Sequence, residues 1–111
     1  MRQDYDSALH LFPAIEPYDC GYFERDNHEL YYEQIGNPDG RVILFLHGGP
    51  GAGCSPAHRR LFDPGKFRVI FLDQRGSGRS KPYGSIINNT TQDLISDINH
   101  LRQSLNIEKW A

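Results

Sequence analysis

Five consecutive apolar residues, Val42-Ile43-Leu44-Phe45-Leu46, run straight into His47-Gly48-Gly49-Pro50-Gly51-Ala52-Gly53. A strand with one wet face alternates apolar and polar residues. An unbroken apolar run bounded by turn residues therefore predicts a strand buried on both faces, as in a parallel sheet. A second run, Phe67-Arg68-Val69-Ile70-Phe71-Leu72, ends in another glycine-bearing loop, Asp73-Gln74-Arg75-Gly76-Ser77-Gly78-Arg79-Ser80. Six of the 11 glycines lie in these two loops. Glycine concentrated after buried strands marks backbone geometry that a Cβ would forbid.

The flanking segments complete an α/β pattern. Tyr22-Phe23-Glu24-Arg25, the polar turn Asp26-Asn27-His28 and Leu30-Tyr31-Tyr32-Glu33-Gln34-Ile35 predict a β-hairpin. Gly36-Asn37-Pro38-Asp39-Gly40 is dense in turn residues. Residues 56–62 predict a short helix. Thr90-Thr91-Gln92-Asp93 has the form of a capping box. Leu94, Ile98, Leu101 and Leu105 follow on one face of a helix over about 91–105, with Asn106 suited to a left-handed C-terminal position. Ile107-Glu108-Lys109-Trp110-Ala111 reads as the approach to a further strand.

A hairpin followed by strand–loop–helix–strand–loop–helix is the opening of an α/β domain with a parallel sheet. Two buried strands need further neighbours, so the expectation is an incomplete domain. Residues 1–17 form an extended lead-in, and 18–111 form the N-terminal part of a longer protein. The alternative is a small two-layer α+β domain.

Charge and cysteine content exclude several classes. Twelve Lys and Arg stand against 14 Asp and Glu, with no basic run, so a nucleic-acid surface is not expected. No apolar stretch approaches the ~20 residues that span a bilayer, and the acidic start Met1-Arg2-Gln3-Asp4-Tyr5-Asp6 is no secretory signal. The expected compartment is the cytoplasm. Cys20 and Cys54 make no metal or redox spacing, and His10, His28, His47, His58 and His100 are scattered, so neither a metal nor a cofactor is expected.

The glycine loop after the first buried strand can turn backbone N–H groups toward a phosphate or toward a developing oxyanion. The dinucleotide pattern fails, because Cys54 and Pro56 stand where a third glycine would be needed. No Gly-Lys-Ser/Thr follows either. Asp73 could imitate a ribose-binding acid, which keeps a dinucleotide reading as the weakest alternative. An oxyanion loop of the His-Gly-Gly-Gly type fits the context better. The Asp73–Ser80 loop reads either as a pocket wall or, preferably, as an Asp–Arg pair bracing a loop. Cys54 and Ser55 could be nucleophiles, but no base is visible beside them. His47 reads as a loop brace, and His58 and His100 as surface residues.

Taken together, Tyr31-Tyr32-Glu33, Gly36-Asn37-Pro38-Asp39-Gly40, Phe45 to Gly51, Asp73 to Ser80 and Asn89-Thr90-Thr91 before Asp93-Leu94 resemble the N-terminal part of the proline iminopeptidase (prolyl aminopeptidase) family. Pro13-Ala14-Ile15-Glu16-Pro17-Tyr18-Asp19 is similar to the family's start. Gln92 departs from an aromatic common there.

The resemblance implies an α/β-hydrolase fold and a serine peptidase acting on peptides with an N-terminal proline. It implies that the Gly49 backbone N–H is one oxyanion donor, within the loop His47, Gly48, Pro50 and Gly51. The family's nucleophilic Ser sits in a G-x-S-x-G elbow after the next strand. A strand takes ~5–6 residues, so the elbow is expected just beyond Ala111. The triad Asp and His and the substrate-binding cap come later still. The 111 residues alone are thus expected to be inactive. The alternatives are another hydrolase of this fold, such as an esterase or epoxide hydrolase, or a non-catalytic truncated product.

Overall fold

The computed structural model describes residues 11–47, 53–84 and 87–108. The predicted hairpin is β1 (Asp19–Arg25) and β2 (His28–Gly36). The turn is tighter than expected. Only Asp26 and Asn27 form it, both at positive φ (49° and 67°), and His28 already pairs with Arg25. Two left-handed residues match the right-handed twist of the flanking strands, and Asp and Asn tolerate that conformation.

β3 (Arg41–Leu46) and β4 (Phe67–Leu72) are the two apolar runs. The sheet order is β1-β2-β4-β3. β1 and β2 are antiparallel, as are β2 and β4, whereas β3 and β4 are parallel, with Leu46 opposite Leu72. The class is α/β with a mixed sheet. The connection between the parallel strands carries the 3-10 helix Pro56–Leu61.

The two apolar runs are not buried equally. In β4, Val69 to Leu72 are buried, with a paired strand at each edge. β3 is half-buried along its apolar length, which corrects the expectation for Val42–Leu46. Its physical reason is position: within the described sheet β3 is paired along one edge only.

Alternate residues of β4 feed two cores. Ile70 and Leu72 join Leu30, Leu101 and Ile107 under the long helix, α1 (Thr91–Ser104). Val69 and Phe71 join Ile35 on the opposite face, packed by Phe45, Phe62, Cys54 and Ile15. Ile15 shows that the lead-in is docked. The Phe12 N–H donates to Arg60 O (3.0 Å), and the Arg60 guanidinium donates back to Phe12 O (2.6 Å).

α1 is capped as expected. The Asp93 N–H donates to Thr90 Oγ1 (3.2 Å), and the Thr90 N–H donates to Asp93 Oδ2 (2.9 Å). Asn106 is left-handed (φ 58°), and the Ile107 N–H returns to Arg102 O. Ile107 enters the core; residues 109–111 lie outside the described residues.

Candidate active site

Parallel pairing of β3 and β4 brings two loops to the same sheet edge, beyond the carboxyl ends of both strands. This is where open α/β sheets place their ligands. The first loop begins at His47, and the second at Asp73. Of the predicted oxyanion loop, Gly48, Gly49, Pro50 and Gly51 lie outside the described residues. Its flanks, His47 and Gly53–Cys54, are described.

His47 is a buried brace, as expected. The Gln74 backbone N–H donates to His47 Nε2 (3.2 Å), which puts a ring proton on Nδ1 rather than Nε2. The Gln74 side chain donates to His47 O (3.5 Å). Asp73, at 1% exposure, holds the other flank. Its Oδ1 accepts the Cys54 N–H (2.7 Å), and its Oδ2 accepts the Arg79 N–H (2.9 Å). A carboxylate committed to two backbone donors and sealed from solvent is not free to hold a ribose, which removes the dinucleotide reading.

The Asp–Arg brace exists, but with a different acid. Arg75 turns away from Asp73 and pairs with Asp97 of α1, donating from Nε to Oδ2 (2.7 Å) and from NH2 to Oδ1 (2.8 Å). It also donates to Asn88 O (2.6 Å) and Asp26 Oδ2 (2.9 Å). One guanidinium thus joins the second loop, α1, the hairpin turn and the 87–89 segment. Its hydrogen bonds to Asp97 hold its pKa above the usual arginine range, against the opposing effect of burial.

A second buried cluster lies on the opposite face and was not anticipated. Glu33 of β2 accepts Arg59 Nε (2.7 Å) and NH2 (2.9 Å) and the Tyr31 hydroxyl (2.9 Å). Arg79 lies 3.7 Å from Glu33 and stacks 4.7 Å from the Tyr31 ring centroid. Burial alone would raise the Glu33 pKa. The bonds from Arg59 and Tyr31, with the charges of Arg59 and Arg79, outweigh it and leave the carboxyl below its ordinary value.

The signals for both pairs are visible in the chain. Asp97 falls on the apolar stripe between Leu94 and Leu101, and Glu33 shares a strand face with Ile35. A charge on a core-facing position requires a buried partner.

The candidate nucleophiles are not activated. Burial pushes the Cys54 thiol up to about 12, assisted by the charge and hydrogen bond of Asp73. His58 does stand beside Ser55, but its Nδ1 accepts the Ser55 backbone N–H (3.0 Å). His58 and His100 are not simple surface residues. Each is half-buried against a phenylalanine, His58 on Phe45 (5.0 Å) and His100 on Phe23 (5.4 Å). Among the described residues no cluster of three His, Cys, Asp or Glu could hold a metal, and no helix is long and apolar enough to cross a membrane.

Residues 41–111 match the family model for the alpha/beta hydrolase fold, and the chain belongs to that family. Within it, the chain is 50% identical over 101 residues to a proline iminopeptidase of Xylella fastidiosa, covering 90% of this chain and 32% of the relative. Among solved structures it is similar to a proline iminopeptidase-related protein from Thermus thermophilus (34% identity, TM-score 0.72), over 86% of this chain and 35% of that one. It is also similar to an epoxide hydrolase from Vigna radiata (29% identity, TM-score 0.66), over 83% of this chain and 30% of that one. The chain therefore spans about a third of the length of the curated relatives it matches.

Proposed function

We propose that the whole protein is a prolyl aminopeptidase that releases N-terminal proline from peptides through an acyl-enzyme. The observation that carries this reading is the 50% identity to a proline iminopeptidase over 101 residues, a span that includes both site loops. The geometry is compatible with it. A glycine-rich segment whose flanks are fixed at the carboxyl edge of parallel strands is suited to aim backbone N–H groups at a developing oxyanion.

In this reading the Gly49 N–H is one oxyanion donor and its neighbours shape the loop. Losing one such donor costs roughly 3–4 kcal/mol of transition-state stabilisation. The nucleophilic Ser, with the second donor following it, and the triad Asp and His come from outside these 111 residues. The 111 residues alone are inactive and take no fluorophosphonate label. No metal or cofactor takes part, and the protein works in the cytoplasm.

A second reading, an epoxide hydrolase, draws on the likeness to the Vigna radiata enzyme. The deciding assay gives the whole protein a proline arylamide and a styrene-type epoxide. Release of the arylamine with no epoxide opening supports the peptidase, and the reverse pattern replaces it with the hydrolase.

A further inference from the structure

We infer that Asp73 and Gln74 are positioning residues that clamp both flanks of the glycine segment between His47 and Cys54; the inference rests on the oxyanion role proposed for that segment. Two adjacent residues at the end of β4 reach the two flanks separately. Gln74 holds His47 through its backbone N–H (3.2 Å) and its side chain (3.5 Å). Asp73 holds the Cys54 N–H (2.7 Å).

Asp73 is itself fixed on every polar atom. Its N–H donates to Tyr31 O (2.9 Å), its carbonyl accepts from Ser80 Oγ (2.6 Å), and its second carboxylate oxygen accepts the Arg79 N–H (2.9 Å). The backbones meet where side chains are absent. Gly53 and Gly78 both have positive φ (75° and 54°). A Cβ on Gly53 would stand 2.5 Å from Gly78 Cα, and one on Gly78 would collide with Asp73 Oδ2. The carboxylate is therefore wedged between the two loops. A flank that shifts carries the segment's N–H groups with it, and a misplacement of about 1 Å far from the chemistry can cost on the order of 100-fold.

The test uses the whole protein with Gly78→Ala, which displaces the Asp73 carboxylate, and Gly84→Ala as control. Gly84 has a similar φ (74°) but nothing within 4 Å of its Cβ position, so it carries the backbone strain alone. Two readouts are taken: kcat and KM on a proline arylamide, and amide hydrogen exchange of the peptide covering 47–54. Gly78→Ala is expected to lower kcat on the order of 10- to 100-fold with KM changed less than about threefold, and to speed exchange at 47–54. Gly84→Ala should change neither.

Equal kcat and equal exchange in the two variants would overturn the clamp, as would a rise in KM alone. If the wild type leaves the arylamide intact, the peptidase reading falls and exchange alone decides the clamp. Should Gly78→Ala not fold, Asp73→Asn, which keeps the side-chain volume but turns one acceptor into a donor, is read in the same way.

Discussion

The guanidinium of Arg75 and the carboxylate of Asp97 form a two-bond pair, 2.7 and 2.8 Å, with both side chains 1% exposed. It bolts the loop after β4 to the middle of α1. The pair lies on the face of the helix that also carries Leu101 into the core, so its atoms have no solvent to fall back on. Removing one partner leaves the other buried charge with its remaining contacts, among them Asp26 and Asn88 O for Arg75 and Arg25 at 3.5 Å for Asp97. Arg75→Met or Asp97→Asn should each destabilise the whole protein, by up to roughly 3–5 kcal/mol. The double variant Arg75→Met/Asp97→Leu should cost less than either single change. Chemical denaturation of the three variants checks the ordering.

Glu33 carries an acid-side dependence. Its folded pKa lies below its ordinary 4.5, so its stabilising contribution is complete above about that pH and is lost as pH falls through the folded value. Unfolding midpoints measured from pH 7 down to pH 3 should fall in the wild type. They should fall less steeply in Glu33→Gln, which starts from a lower midpoint because Arg59 loses its charged partner.

The cap of α1 gives a smaller effect. Thr90→Ala removes the acceptor for the Asp93 N–H and should cost about 1 kcal/mol. Asp93 is held below the usual carboxyl range chiefly by the Thr90 N–H, with the Thr90 hydroxyl assisting. Its support for the helix is therefore present at neutral pH and fades as the carboxyl protonates. Thermal melts of Thr90→Ala and wild type at pH 7 and pH 3 should differ by less at the lower pH.

The two cysteines should separate kinetically. Cys20 is exposed, whereas the Cys54 thiol is half-buried, with its Sγ 3.8 Å from Leu72 O, and is pushed up to about 12. The thiolate is the reactive form. At pH 8 a small disulfide reagent should modify Cys20 promptly and Cys54 only slowly, and peptide mapping identifies each. Prompt modification of Cys54 would contradict its half-buried, protonated state.

Much was already written in the chain. The hairpin, both apolar strands, the short helix after Pro56, the cap at Thr90 and the left-handed Asn106 all follow from local rules. Periodicity, turn residues and capping act over a few neighbours, and their physics is complete within those neighbours. That a glycine-rich segment follows the first apolar strand directly was legible for the same reason.

Partner choice was not. Asp73, Arg75 and Arg79 share one loop, and the short range favoured an Asp–Arg pair within it. The fold instead gave Arg75 to Asp97 and Asp73 to two backbone amides, because helix α1 brings a carboxylate to the guanidinium and the 53–54 backbone closes over Asp73. Arg59 finds Glu33 26 residues away only once the 3-10 helix packs on β2. The half-exposure of β3 beside the burial of Val69–Leu72 in β4 likewise depends on the sheet order, since two similar apolar runs differ in how many paired edges they have. Sequence determines which residues must be buried and where the chain must turn. Only the tertiary structure decides which charges meet, because a buried charge must be neutralised by whichever group the packing places within hydrogen-bond reach.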